Sequence, residues 1–123
     1  NIMLVDDQAD MLFTYRSFLE GQGFNVESFT DPILALRQFA QEDTSKYDLV
    51  VMDVRMPQLN GLQLYQRLRA INSTVKILFV TALDAAEELI TLLSDVVADQ
   101  VIMKPVSRDR FLNYVDLAVR EKG

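Results

Sequence analysis

The 123-residue chain contains no cysteine and no histidine. Without cysteine there are no disulfides, thiolate metal sites or thiol nucleophiles, which fits a reducing, cytoplasmic setting. Without histidine there is no Ser-His-Asp triad, no imidazole general base and none of the common zinc sites. Chemistry must then rest on carboxylates, lysine, hydroxyls and a hard metal ion. No apolar run approaches the roughly 18 residues of a membrane span, so no membrane partner is expected. The net charge of −6 argues against this domain itself gripping phosphate backbones, so no nucleic acid is expected either.

What is present is a globular composition, 50% hydrophobic, with length for one domain and too little for two. The chain opens on Asn1, and Ile2 already reads as strand. Residues 1–123 are therefore expected to be one domain trimmed from a longer protein.

Apolar runs at 2–5, 49–52, 77–80 and 101–103 are rich in Val, Ile and Leu and do not alternate. That is the pattern of parallel strands covered on both faces. The stretch FNVESF at 24–29 alternates near its start and suits an edge strand.

Helical periods fall between these runs. Met11, Tyr15, Phe18 and Leu19 share a face, with Gly21 or Gly23 as the stop. Asp31-Pro32 reads as N-cap and first helical residue, with Ala35, Leu36, Phe39 and Ala40 inward. Leu64, Leu68 and Ile71 form the next stripe. Ala86, Leu89, Ile90, Leu93 and Val97 form another. Ser107 caps a last helix with Leu112, Val115 and Val119 inward. The order is strand then helix, five times over, which predicts an α/β fold: a parallel sheet, helices on both faces, and right-handed crossovers.

In such a sheet function collects at the carboxyl ends of the strands. The first strand ends in Asp6-Asp7, the third in Asp53, the fourth in Thr81 and the fifth in Lys104-Pro105. One aspartate after a strand is commonly a turn former or a cap, and Asp10 and Asp31 are read that way. Three carboxylates, a hydroxyl and an ammonium delivered to one sheet edge are a different matter. At about 4 Å each carboxylate pair costs roughly 4 kcal/mol at an effective dielectric of 20. Lys104 is one candidate to offset that. A divalent cation is the other, and all-oxygen ligands select Mg²⁺ or Mn²⁺. A hard metal, a carboxylate nucleophile, a hydroxyl donor and a lysine suit phosphoryl transfer.

The pieces VDD at 5–7, MDVRMPQLNG at 52–61, VTA at 80–82 and MKP at 103–105 together resemble the receiver domain of two-component response regulators, the chemotaxis-regulator type. The resemblance covers essentially the whole chain. It implies a doubly wound, flavodoxin-like fold with five helices and strand order 2-1-3-4-5. It implies that Asp53 accepts a phosphoryl group from a phosphohistidine on a sensor histidine kinase or phosphotransfer protein. Asp7 and Asp53 would ligate Mg²⁺ (or Mn²⁺), with the backbone carbonyl of Arg55 as a third protein ligand and Asp6 acting mostly through water. Thr81 would bond to the phosphoryl group, Lys104 would pair with it, and Lys104-Pro105 would carry a cis peptide. The output would leave through the surface of the fourth helix, fifth strand and fifth helix. Its receivers would be an effector domain in the same chain, a separate target protein, or a second copy in a homodimer. Such a domain catalyses only its own phosphorylation and dephosphorylation.

The sequence departs from the family at Val101, where an aromatic residue usually stands three positions before the lysine. Valine has a stiff χ1 and no ring to reorient, so transmission is expected either to run mainly through Thr81 and the loop after it or to be weakly coupled. Val96, Val97, Val101 and Val106 are expected either to form an apolar patch or to serve as core. Arg55 and Leu83 sit where the family tunes the life of its acyl phosphate, and are expected either to shield the site from water or to be surface residues with no kinetic role.

Other readings fit less well. A Mg²⁺-dependent phosphatase with an Asp nucleophile wants D-x-D-x-T, and Asp53-Val54-Arg55 lacks its second acid. A phosphorylation-independent binding module should lack an acceptor or metal residue, and none is missing. A flavin phosphate cradle does not tolerate the acidic DDQAD.

Overall fold

The structure, a computed structural model, describes residues 1–43, 45–92 and 100–120. The elements run β1 (Ile2–Val5), α1 (Ala9–Gly21), β2 (Val26–Phe29), α2 (Pro32–Gln41), β3 (Leu49–Met52), α3 (Gly61–Ile71), β4 (Ile77–Thr81), α4 (Leu83–Leu92), β5 (Val101–Met103) and α5 (Arg108–Arg120). The strands form one parallel sheet in the order β2-β1-β3-β4-β5. The alternation of strand and helix is that expected of the sequence, and the strand order is that implied by the family resemblance, with β2 at one edge.

Side-chain alternation along each strand explains why the apolar runs are unbroken. Met3, Val5, Val50, Met52, Ile77, Phe79 and Val101 pack on one side against α2, α3 and α4. Ile2, Leu4, Leu49, Val51, Leu78, Val80 and Ile102 pack on the other against α1 and α5. Both faces of β1 and β3 are dry, so every position in those two strands needs an apolar residue.

The helix ends follow from local chemistry. Asp31 accepts from the Ile33 N–H at 2.9 Å ahead of Pro32. Ser107 accepts from the Arg110 N–H at 3.2 Å. α1 closes at Gly21, and Gly23, at φ +89°, turns the chain so that the Phe24 N–H reaches the Leu19 carbonyl.

Three side chains expected inward are exposed: Ala40, Ile71 and Ile90. Ala40 and Ile90 each lie one residue, about 100° of helix, past a truly buried neighbour, Phe39 and Leu89. Ile71 is the last residue of α3, and the stripe is carried instead by Leu64, Tyr65 and Leu68. Val101 is 6% exposed, and Val106 is half-buried against the α1/α5 core, so these two valines serve as core and not as an apolar patch. Leu93, Val96 and Val97 lie outside the described residues. Among the described residues no helix is long and apolar enough to cross a membrane.

Candidate functional site

Asp6, Asp53, Thr81 and Lys104 are brought together because four neighbouring strands end at the same edge. The backbone ties these ends to one another: Asp53 N–H donates to the Val5 carbonyl at 3.1 Å, and Lys104 N–H donates to the Thr81 carbonyl at 2.8 Å. Each polar side chain is therefore fixed by a ladder hydrogen bond at or next to its own residue. Asp7, one residue past Asp6, is exposed at the rim.

Oxygen atoms of Asp6, Asp7 and Asp53 all lie within 4.8 Å of one another. A hexacoordinate Mg²⁺ shell is about 4 Å across. The donor set is all carboxylate, which is hard-cation chemistry, so the cluster fits Mg²⁺ or Mn²⁺.

Asp53, though charged, is 8% exposed. Its Oδ1 accepts from the Val54 N–H at 2.7 Å, and its Oδ2 accepts from Lys104 Nζ at 2.8 Å. Lys104 Nζ also stands 3.6 Å from Asp6 Oδ2. Burial works against the charged ammonium, but the bond to Asp53 and the charges of Asp53 and Asp6 outweigh it and raise the Lys104 pKa. Burial pushes the Asp6 carboxyl up; the Gln8 N–H and Lys104 pull the other way, while Asp53 and Asp7 add to the rise. Lysine is thus firmly cationic, and the carboxylates beside it remain crowded.

Thr81 is 1% exposed, and its hydroxyl has no hydrogen-bond partner among the described residues. A buried hydroxyl left unpaired is costly and calls for an explanation.

The loop from Asp53 to α3 is closed tightly over the sheet. Val54, Met56 and Leu59 are buried in it, and Gln58 takes φ +69°. Asn60 and Gln63 form a reciprocal capping box that starts α3. Gly61 is required by close approach. A Cβ there would stand 2.5 Å from the Asp53 carbonyl oxygen and 2.7 Å from Val54 Cα. The Gly61 N–H donates to the Val54 carbonyl at 2.7 Å.

Arg55, two residues past Asp53, turns its exposed side chain to Asp84 in the first turn of α4, at 2.5 Å. That partner was not singled out from sequence. Leu83 is exposed beside it. The Lys104-Pro105 peptide is cis.

Cavity size does not mark this site. A groove of about 1010 Å³ lies at the other end of the sheet, near Lys76 and Gln100 at the amino ends of β4 and β5, away from the acidic cluster.

The sequence pattern described as the response regulator receiver domain matches residues 2–116. The chain is 30% identical over 119 residues to the transcriptional regulatory protein RprY of Bacteroides fragilis, covering 97% of this chain and 49% of that protein. It is 34% identical over 122 residues to the regulatory protein VanRB of Enterococcus faecalis, covering 99% of this chain and 53% of that protein. The chain thus spans about half the length of these relatives. Its fold superposes on the non-phosphorylated HemR receiver domain of Leptospira biflexa with a TM-score of 0.85 at 26% identity, over 99% of this chain and 95% of that one.

Proposed function

The chain belongs to the response regulator receiver domain family of two-component systems, and on that premise we propose that it is a phosphorylation-activated signalling switch whose acceptor is Asp53. The carrying observation is the Asp53 carboxylate, held at 2.8 Å by the Lys104 ammonium, in a cluster that also holds the unpartnered Thr81 hydroxyl.

In this reading an Asp53 oxygen attacks phosphorus in line and forms the O–P bond. The N–P bond to a histidine of a partner kinase or phosphotransfer protein breaks, and its electron pair stays with the imidazole. The absence of histidine from this chain is consistent with a partner that supplies it. Lys104 offsets charge on the transferred oxygens, and Thr81 donates to one of them. Asp6, Asp7, Asp53 and the backbone carbonyl of Arg55 would hold Mg²⁺. When bound, the ion neutralises phosphoryl charge and orients the group. The domain acts as a switch and not on an external substrate. A cytoplasmic setting fits its lack of cysteine.

Val101 has no ring to swing inward, so the signal passes through Thr81 into the α4 start that follows it, and onward to the α4/β5/α5 surface. RprY and VanRB are named as regulators of about twice this length, which supports an output through an effector domain in the same protein or a separate target. No acceptor or cluster residue is missing, so the reading as a phosphorylation-independent binding module has no observation behind it.

Intact mass after incubation with acetyl phosphate, with and without Mg²⁺, tests the proposal. One phosphoryl group is expected, dependent on Mg²⁺ and absent from Asp53→Asn. No addition to the natural chain, together with no binding of beryllofluoride, would refute it.

A further inference from the structure

Among the described residues, two buried hydroxyls lack partners: Thr81 Oγ1 and Tyr15 Oη. The phosphoryl group accounts for the first. Nothing in the reading above accounts for the second.

Tyr15 lies on the inner face of α1 and is 2% exposed. Its ring is stacked on Phe111 of α5, with centroids 4.9 Å apart and planes 19° apart, and Phe18 closes on the same phenylalanine. α1 follows the Asp6-Asp7 turn and α5 follows Lys104-Pro105, so this stack joins the helices behind the two charged loops. The ring is fixed, and its oxygen is close enough to the cluster for the charges of Lys104, Asp6 and Asp53 to act on it, as it acts on Lys104 in turn. Phenylalanine would fill the same space without burying an unpaired hydroxyl. The oxygen therefore calls for a use.

Lys104 supplies one. An ammonium has three donors, and here one goes to Asp53. Receiving a phosphoryl group on Asp53 requires the ammonium to turn from that carboxylate to a phosphoryl oxygen. We propose that Tyr15 is a positioning residue for Lys104: its hydroxyl oxygen accepts a hydrogen bond from Lys104 Nζ as the ammonium turns, and holds it in the phosphoryl-bound orientation. This rests on the phosphoacceptor reading of Asp53. It is separate from the missing aromatic at position 101, since Tyr15 belongs to α1 and Val101 to β5.

The test is a titration of Mg²⁺-loaded protein with beryllofluoride, followed by tyrosine ultraviolet difference absorbance, in the natural chain and in Tyr15→Phe. The chain has four tyrosines and no tryptophan to mask them. The natural chain is expected to give a tyrosine difference band that saturates with the mimic. Tyr15→Phe should lose that band and bind about tenfold more weakly, as expected for loss of one hydrogen bond to a charged group. Its melting temperature should be equal or higher. Equal affinity with the band retained would make Tyr15 a bystander. Weaker binding with a lowered melting temperature would make it a core residue only. Binding by the natural chain with no tyrosine band overturns the proposal without need of the variant. Failure of the natural chain to bind at all would overturn the acceptor reading, and this one with it.

Discussion

Lys104 Nζ lies 2.8 Å from Asp53 Oδ2, on a carboxylate that is nearly buried and has Asp6 and Asp7 for neighbours. The pair joins β3 to β5 across β4, which carries the unpartnered Thr81 between them. Lys104 is the cation this cluster relies on when no metal is bound. Lys104→Met should therefore destabilise the domain by about 2–3 kcal/mol, somewhat less than loss of a fully buried partner. Mg²⁺ should recover part of that by binding the folded state. Urea unfolding with and without Mg²⁺ measures both.

Gly61 and Gly21 should respond oppositely to alanine. At Gly61 the added carbon would collide with the Asp53 and Val54 backbone, which cannot rotate away; at Gly21 nothing lies within 4 Å. Gly61→Ala is expected to cost about 1–3 kcal/mol and to slow phosphorylation by displacing the acceptor's peptide. Gly21→Ala, at a helix end, should be neutral or gain up to about 1 kcal/mol. Thermal melts of the two variants, with acetyl phosphate labelling rates, check this.

Stability at high pH should depend on Tyr47. Burial and the hydrogen bond its hydroxyl donates to Glu27 push its pKa from 10.0 up to about 12. The folded state thus favours the protonated phenol. Its contribution is complete below pH 10 and is lost as pH rises from 10 to about 12. The same bond, foremost, and Lys46 hold the Glu27 carboxyl below its usual range against a burial effect that raises it. That contribution is present above the ordinary carboxylate pKa and disappears as pH falls through the lowered value. Melting temperature against pH should show both limbs in the natural chain, and Tyr47→Phe should flatten the alkaline one.

Arg55 arches from the loop after Asp53 to Asp84 at the start of α4. Both side chains are exposed, so the pair contributes under about 1 kcal/mol and Arg55→Ala should leave the melting temperature unchanged. The acyl phosphate, however, should decay several-fold faster without that cover. The rate of phosphoprotein loss decides the matter, and an unchanged rate would remove Arg55 from the account.

Most of the site was legible because the strands announce themselves. Val50 to Met52 is an apolar run that ends in Asp53, and the same rule locates Asp6, Thr81 and Lys104. Strand order came through the family resemblance, since local apolar runs do not say which strands are neighbours. Helix faces were legible to within one residue: Phe39 and Leu89 are buried where Ala40 and Ile90 are not, because one step turns the helix by about 100°. The clash that requires Gly61, the Arg55–Asp84 pair and the unpaired Tyr15 oxygen were not legible. Each depends on segments distant in sequence meeting in space, and periodicity carries no record of that.

The most direct measurement is to trap the acyl phosphate. Borohydride reduces an aspartyl phosphate to homoserine, and peptide mass spectrometry locates it. After Mg²⁺ and acetyl phosphate, homoserine is predicted at position 53 alone. Homoserine at Asp6 or Asp7, or at no position in a chain that had gained a phosphoryl group, would contradict the assignment of Asp53 as the acceptor.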